Sequence, residues 1–540
     1  MATYNVGMDF ATLRADLIGS DVLVTTPLGQ RRVTYADYVA SGKPLRSVED
    51  RIRDLALPLY ANTHTEDSVT GAASTHLAHQ AHDYVKGQLG ADDHCKLIFC
   101  GSGSTAAIKR LQEILGLSVC STQRDRTVQA LPPEQRPVVF VGPYEHHSNE
   151  VSWRETLAEV VEVPLCAEGG ICLSTLEREL TRPEYAGRPR YGAFSAASNV
   201  TGRLSDTRAL ARLLHQHGAY AFFDFAASAP YVAIDMKPGE PDGYDAVFLS
   251  PHKFVGGPGT PGLLCFRAEL YGQGQAPTTA GGGTVTYVSR HKHAYVDDIE
   301  AREDAGTPAI LGKIRTALTF RVKEELGTDR LLAREHELYA LARERFARHP
   351  RLWLLGSLDA PRLAFLSFIV QLPGGKTLHP RLTVRLLNDL FGIQARGGCA
   401  CAGPYGHALL DIGDELSEQY FGCISGGLDG LKPGWTRLNL APWITDEEAT
   451  FILDAVEFVA DYGEQFLAVY DFDWQTGAWT HPADPPAPDL FGMTRLPTEQ
   501  GPVPYADYLA QARALVGTLP APQPKPAPSE ARPELVYFAY

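Results

Sequence analysis

The sequence predicts an α/β fold, with a mainly parallel seven-stranded sheet in a large domain and a smaller α/β domain after it. Seven short apolar runs indicate buried strands; they cover residues 96–100, 138–141, 160–163, 191–195, 221–224, 246–250 and 262–266. Between two of them, residues 206–217 have helical periodicity and end at Gly218, a favourable residue for closing a helix. Strands that alternate with helices form parallel sheets, and functional side chains collect at the strand ends.

Composition limits the class of protein. The chain has 540 residues, 44% hydrophobic and 21% charged, with a formal net charge of −15. This acidity argues against nucleic-acid binding and favours small-molecule or protein partners. We see no signal peptide and no apolar run long enough to span a bilayer, so we expect no membrane partner. The nine scattered cysteines then indicate reduced thiols in the cytoplasm, and no spacing fits a metal site.

Shifts in composition divide the chain into four predicted segments. In order, they are an N-terminal segment packing on the small domain, the large domain, the small domain and a proline-rich extension, at residues 1–50, 51–310, 311–470 and 471–540. Proline excludes ordinary helix or central strand, so we expect the extension to pack on the surface or to be partly ordered. Further predicted features are an inserted loop at 120–137, a strand at 363–372 and helices at 380–391, 445–462 and 505–516.

A polar tip follows the sixth apolar run. It carries Ser250, His252 and Lys253, and the glycines and prolines behind it force a sharp turn. Desolvation and nearby cations lower the pKa of a lysine amine, which prepares it to form a Schiff base with an aldehyde. A lone lysine in a loop is usually a surface residue. The prediction of a Schiff-base lysine therefore depends on the residues at the ends of the other strands.

Those strand ends supply the other parts of a pocket for pyridoxal phosphate (PLP). The turn Gly101-Ser-Gly-Ser-Thr105 opens a helix, where free amides and the hydroxyls of Ser104 and Thr105 suit a phosphate. Glycine-serine turns before helices are common, however, and usually only structural.

Three more residues suit the ring of such a cofactor. His146 is flat enough to stack on a pyridine, and Asn199 has an amide for a phenolic oxygen. Asp224 ends an apolar strand, where a buried carboxylate needs a partner such as a protonated ring nitrogen. The alternatives are metal ligation by the histidine pair, a simple turn asparagine and a buried salt bridge.

The polar stretch around Asn62 and His64 is unlikely to lie inside a helix. It is either a surface loop or the lip of an active site, with both side chains facing the substrate.

Together, these motifs resemble the class V aminotransferase family of fold-type I PLP-dependent transferases (aspartate aminotransferase-like), most closely the cysteine desulfurase and selenocysteine lyase branch. The resemblance covers roughly residues 20–465. Its matching pieces are Asp37-Tyr-Val-Ala-Ser, Gly103-Ser-Thr, Glu145-His-His-Ser-Asn, Ser198-Asn-Val-Thr-Gly, Asp224-Phe-Ala-Ala, Ser250-Pro-His-Lys, Gly281-Gly-Gly-Thr, Ala305-Gly-Thr-Pro, Arg396-Gly-Gly-Cys-Ala-Cys-Ala and Gly434-Trp-Thr-Arg-Leu-Asn.

The resemblance implies cofactor contacts for seven residues: Lys253 (Schiff base and proton transfer), Asp224 (ring nitrogen), His146 (ring face), Asn199 (phenolic oxygen), and Thr105, Ser250 and His252 (phosphate). Thr307 would reach the phosphate from the other subunit, which implies a homodimer. Arg437 would bind the substrate carboxylate as a bidentate guanidinium, with Arg396 nearby.

Two departures from the family pattern bear on the reaction. Ala227 stands where the family usually has a glutamine. Cys401 has the spacing of the sulfur-accepting cysteine, and Cys399 replaces a residue that is often histidine, a pairing also found in molybdenum cofactor sulfurase relatives.

The resemblance implies a cysteine desulfurase that converts L-cysteine to L-alanine and takes the sulfur on Cys401 as a persulfide, with a possible protein acceptor. One alternative is a lyase, aminotransferase or epimerase acting on another amino acid, since fold does not fix the reaction. Another is a sulfur-relay scaffold whose proline-rich tail docks a partner.

Overall fold

The computed structural model describes residues 8–63, 65–492, 495–523 and 525–540. The chain forms two compact units. The first contains Ala40–Ser198 and Arg203–Leu332 together with Met8 and Asp9, and the second contains Phe10–Val39, Asn199–Gly202 and Ala333–Tyr540. Within the described part of the chain, no helix is both long and apolar enough to cross a membrane.

The first unit is built on a seven-stranded sheet. Its strands are β1 (Cys95–Cys100), β2 (Val138–Val141), β3 (Glu159–Glu162), β4 (Arg190–Ser195), β5 (Tyr220–Asp224), β6 (Ala246–Leu249) and β7 (Gly262–Arg267). They lie in the order β1-β7-β6-β5-β4-β2-β3. Strand β7 is antiparallel to both of its neighbours, and every other pair is parallel. The prediction of a mainly parallel sheet with seven strands is confirmed.

Apolar composition explains why these strands are central. All four residues of β2 and all four of β6 are buried, as expected for strands covered on both faces. The α-helices of this unit are Arg46–Arg51, Val69–Gln88, Gly103–Ile114, Ser121–Ala130, Val151–Arg154, Leu173–Leu180, Thr207–Gln216, Ile299–Arg302 and Ile310–Leu326. The strands Val285–Val288 and His293–Tyr295 form a separate hairpin.

The predicted loop at 120–137 is wrong in part, because Ser121–Ala130 is a helix. None of its residues is buried. A helix without a buried face shows no apolar stripe, and that stripe is the signal by which a sequence reveals a helix.

The second unit contains a smaller, antiparallel sheet. Its strands are β8 (Leu352–Leu354), β9 (Phe365–Val370), β10 (Arg396–Gly398) and β11 (Trp435–Asn439), in the order β8-β9-β11-β10. The helices in this part of the chain are Phe10–Asp16, Thr328–Arg348 (which begins in the first unit), Pro380–Phe391, Gly403–Leu409, Asp414–Ser425, Asp446–Tyr462 and Tyr505–Val516. Short paired strands are Leu23–Thr26 with Gly29–Arg32, Thr34–Tyr35 with Ile393–Gln394, and Asp471–Phe472 with Trp479–Thr480.

The end of the proline-rich extension is anchored in this unit. Strand Phe538–Ala539 pairs in parallel with Thr377–Leu378. The side chain of Phe538 is fully buried, and its ring contacts those of His379 and Phe472. Aromatic burial of this kind is a strong apolar anchor, so the extension is part of the core here despite its prolines.

Candidate active site

The predicted phosphate and lysine motifs lie at one edge of the sheet in the first unit. Asp224 ends β5, and Ser250 follows β6, its parallel neighbour. Strand β1 has the direction of β6, because both are antiparallel to β7, so the turn after β1 lies at this edge too. Carboxyl ends of parallel strands are the usual position of binding sites in such sheets.

Gly103 allows the turn after β1 to approach the lysine segment closely. The backbone N–H of Ser104 donates to the Oγ of Ser250 at 2.9 Å. Gly103 has φ +57, and a Cβ there would lie 2.9 Å from both Ser250 Oγ and His252 Cε1. Glycine alone fits this position. Its small size lets the start of the helix lie beside the hydroxyl group of Ser250, and free N–H groups at a helix start, with hydroxyl groups near them, suit an anion.

A chain of hydrogen bonds fixes the ring of His146. Thr105 Oγ1 lies 2.6 Å from Ser148 Oγ, which lies 3.1 Å from His146 Nδ1. The backbone N–H of Ser148 also donates to that Nδ1 at 3.1 Å. When the ring is neutral, its hydrogen is therefore on Nε2. Ser148 lies in the motif Glu145-His-His-Ser-Asn, but no role was predicted for it.

The side chain of Glu145 stabilises the turn that carries His146 and Ser148, and no role was predicted for Glu145 either. Its carboxyl accepts hydrogen bonds from Ser195 N at 2.9 Å, from Ser195 Oγ at 2.6 Å and from Asn149 Nδ2 at 2.7 Å. Burial raises the pKa of Glu145 to about 7. A glutamate just after a buried strand needs polar partners, and that requirement is the signal in the sequence.

Asp224 and Lys253 interact electrostatically in the first unit. Asp224 is only 4% exposed, and its Oδ1 accepts a hydrogen bond from Ala226 N at 2.9 Å. Burial raises the pKa of Asp224, while the Ala226 bond and the charge of Lys253 oppose that rise. Burial, assisted by Lys253, lowers the pKa of His252 to about 4, which keeps this imidazole neutral.

In the second unit, Asp37 holds both predicted substrate arginines. Its Oδ1 accepts from Arg437 Nη2 at 3.1 Å and its Oδ2 from Arg396 Nε at 3.2 Å. The two arginines are register partners on β11 and β10. The Arg437 side chain is 4% exposed and that of Arg396 is 50% exposed. Asp37 lies in the motif Asp37-Tyr-Val-Ala-Ser but was not predicted as a site residue.

Asn199 and the cysteine turn also belong to the second unit. Asn199 Nδ2 donates to Ala400 O at 2.7 Å, and its buried Oδ1 has no hydrogen-bond partner among the described residues. Cys401 is exposed. Arg437, whose Nη1 donates to Asn199 O at 2.8 Å, interacts electrostatically with Cys401. The second unit thus gathers an amide, two guanidinium groups and an accessible thiol.

The roles predicted for the remaining three site residues, Thr307, Asn62 and His64, stay predictions. Thr307 is exposed after Gly306, and Asn62 is exposed with its Oδ1 accepting from Thr63 N at 3.0 Å. His64 lies outside the described residues.

The cluster of the first unit fits PLP. Its buried Asp224 carboxyl has a raised pKa that a neighbouring ring cation would lower, and the Lys253 amine lies within its electrostatic range. Because Gly103 has no Cβ, the start of the helix Gly103–Ile114 lies close to the side chains of Ser250 and His252. These features match a ring nitrogen, an aldehyde and a phosphate respectively.

Comparisons with known proteins agree with this chemistry. The family model described as Aminotransferase class-V matches residues 34–414. Proteins named probable cysteine desulfurase from Halalkalibacterium halodurans and Streptomyces coelicolor are 24% and 25% identical, over 74% and 80% of this chain and 92% and 93% of their own. The apo structure of a cysteine desulfurase from Thermococcus onnurineus matches with a TM-score of 0.65 at 22% identity, over 85% of this chain and all of that one. At this identity the likeness confirms the predicted fold-type I architecture alone.

Proposed function

Because this chain belongs to the aminotransferase class-V family, a family of PLP-dependent enzymes, we propose that it is a cysteine desulfurase. It converts L-cysteine to L-alanine and accepts the sulfur on Cys401. The observation that carries this reaction is the exposed thiol of Cys401, within electrostatic range of the buried Arg437 guanidinium. The exposure of Cys401 leaves its sulfur, which is nucleophilic as the thiolate, accessible to a substrate.

PLP, when bound, supplies an aldehyde that condenses with amines and a ring that withdraws electrons from the reacting carbon. In our proposal, Lys253 Nζ holds the cofactor and later moves the α-proton of the substrate. Asp224 presents its buried carboxylate to the ring nitrogen. Thr105, Ser250 and His252, with the Ser104 amide and hydroxyl, hold the phosphate.

In the same proposal, the imidazole of His146 stacks on the pyridine ring of the cofactor. The support for this role is its fixed orientation, since Ser148 binds Nδ1 and is itself held by Thr105. The buried carboxyl of Glu145 anchors the same turn through Ser195 and Asn149. A preset ring orientation lowers the entropic cost of binding a planar group.

Substrate binding falls to the arginine pair. We assign the substrate carboxylate to Arg437 and Arg396, whose positions Asp37 fixes by one hydrogen bond to each. Asn62 and His64 would contact the substrate, and Asn199 the phenolic oxygen. Thr307 would contribute from a second copy of the chain, which makes a homodimer part of the proposal, as is a protein that finally accepts the sulfur.

The proposed sulfur transfer needs no reactant other than Cys401 and the bound cysteine. The Cys401 thiolate attacks the sulfur of the bound cysteine, and the carbon–sulfur bond breaks. Its electron pair stays with the carbon, which takes up a proton and leaves as alanine. The sulfur remains on Cys401 as a persulfide.

Ala227 favours a second function of the same family: a lyase, an aminotransferase or an epimerase acting on another amino acid. This residue is buried, and its side chain carries no hydrogen-bond donor where the family usually has a glutamine. The loss of one donor near the cofactor would change ring electronics and, with them, the reaction chosen.

The test is turnover of L-cysteine by the full chain under reductant, with alanine and sulfide measured together. We expect both products, and an absorbance band of bound PLP that is lost in Lys253→Ala. Cys401→Ser abolishes alanine formation, whereas Cys423→Ser, which alters a partly exposed cysteine on the helix Asp414–Ser425, does not. Equal alanine from Cys401→Ser would overturn the assignment of Cys401. Turnover of a different amino acid, with none of L-cysteine, would establish the second function instead.

A further inference from the structure

Cys399 and Cys401 flank one residue in a tight turn. The N–H of Ala402 donates to Cys399 O at 3.2 Å, and this bond closes the four-residue turn. The two central residues, Ala400 and Cys401, have φ of 49° and 56°. Two consecutive residues with positive φ are the mark of a type I′ turn, which strongly prefers asparagine and glycine.

Alanine and cysteine are therefore strained here, at roughly 1–2 kcal/mol per residue. Two features of the second unit hold the turn in place. Asn199 binds the carbonyl of Ala400, and the preceding strand β10 pairs with β11 up to Gly398. Strain that the surroundings maintain is concentrated at functional sites.

The conformation of Ala400 sets the spacing of Cys399 and Cys401 along the backbone. In a helical conformation of either hand, Cα atoms two residues apart are separated by about 5.5 Å. Disulfides join Cα atoms about 4.4–6.8 Å apart. With the left-handed φ of Ala400, a Cα separation of this size between Cys399 and Cys401 falls inside this window.

The two thiols differ in exposure. Cys401 is exposed and Cys399 is partly buried. A substrate in solution thus reaches Cys401 first, while Cys399 is placed to react with whatever forms on its neighbour. The pair has the arrangement of an attacking and a resolving thiol.

We propose that Cys399 is the resolving thiol for a persulfide on Cys401. The proposal rests on the proposed function, which supplies that persulfide. The Cys399 thiolate attacks the Sγ of Cys401, and the persulfide S–S bond breaks. The outer sulfur leaves with the electron pair as hydrosulfide, and a Cys399–Cys401 disulfide remains. Two thiols are oxidised and one sulfane sulfur is reduced, so no other oxidant is needed; two equivalents of an external thiol then restore the dithiol.

The test follows the peptide that contains both cysteines by mass spectrometry. The full chain reacts with L-cysteine without reductant and is then alkylated. We expect wild type to yield one equivalent of sulfide and an unalkylated peptide two hydrogens lighter than the dithiol. Cys399→Ser and Cys399→Ala instead retain one extra sulfur on Cys401, and Cys423→Ser behaves as wild type does.

A second arm separates this proposal from the function on which it rests. Lys253→Ala, which cannot turn over the substrate, is treated with inorganic polysulfide to load the cysteines directly. The disulfide should form again, with release of sulfide. If it forms in this arm but L-cysteine produces no persulfide or disulfide, then the desulfurase function fails and the resolving role stands. A stable persulfide on Cys401 in the wild-type chain, or sulfur transferred intact to Cys399, overturns the resolving role.

Discussion

The side-chain amide of Asn199 donates a hydrogen bond to the carbonyl oxygen of Ala400 at 2.7 Å, across 201 residues of sequence. Ala400 is the residue between the two cysteines. The bond thus links the asparagine assigned to the cofactor with the turn that carries the thiols, and it opposes relaxation of a strained backbone.

Loss of this bond should slow sulfur transfer. A hydrogen bond contributes about 1 kcal/mol net, equivalent to about fivefold in the population of the strained turn. We expect Asn199→Ala to lower the single-turnover rate of persulfide formation by about fivefold or more, as measured by quenched alkylation. Asn388→Ala removes a side-chain amide that bonds to Asp389 in the same unit and should leave the rate unchanged. A rate within twofold of wild type for Asn199→Ala would show that the bond does not support the turn.

Substitution of Gly103 tests the proposed phosphate site at the start of the helix Gly103–Ile114. Its added methyl would lie 2.9 Å from Ser250 Oγ, at φ +57. We expect Gly103→Ala to weaken PLP binding by at least tenfold in an absorbance titration. The matched control is Gly116→Ala, at φ +68 with nothing within 4 Å, which carries only the backbone cost of roughly 1–2 kcal/mol. Equal PLP affinity in the two variants would contradict this account of the helix start.

His379 makes the second unit sensitive to acid. Burial lowers its pKa to about 3. Its Nδ1 accepts from Trp479 Nε1 at 3.1 Å and from Arg381 N at 3.2 Å, so a proton there would oppose two donors. The unfolded chain binds that proton below about pH 6.5 and the folded chain does not, so stability falls as pH falls from 6.5 towards 3.

We therefore expect wild type to lose roughly 2 kcal/mol from this group between pH 8 and pH 5. The measurement is denaturant unfolding at both pH values for wild type and His379→Gln. Carboxyls with raised pKa, such as Glu145, act in the opposite direction, but they are present in both proteins and cancel in the difference. An identical pH dependence in the two proteins would exclude His379 as the source.

The extension contains its own matched pair of phenylalanines. Phe538 is 0% exposed and Phe491 is 95% exposed. Phe538→Ala should destabilise the second unit by about 3–5 kcal/mol, because a large buried ring is removed. Phe491→Ala should change the unfolding midpoint little. If both variants unfold as wild type does, then the terminal strand does not stabilise this unit.

Local signals predicted much of this fold. The helix Pro380–Phe391 begins and ends at the predicted residues, because proline suits the first turn and Gly392, at φ 72, suits the end. Each central strand was predicted to within one residue at each end, since a buried strand needs a continuous apolar run. The order of the strands carried no such signal, and neither did the exposed helix Ser121–Ala130.

Residue types and spacing along the chain thus fixed the elements, the lysine turn and the cysteine motif, because turns and apolar runs depend on neighbours in sequence. The pairing of Asp37 with Arg437, the hold of Ser148 on His146 and the burial of Phe538 arose only on folding. Each depends on groups far apart in the chain or on side-chain orientation, and a hydrogen bond requires donor and acceptor to meet at about 3 Å with suitable angles. That condition is set by packing, and no local pattern of residues encodes it.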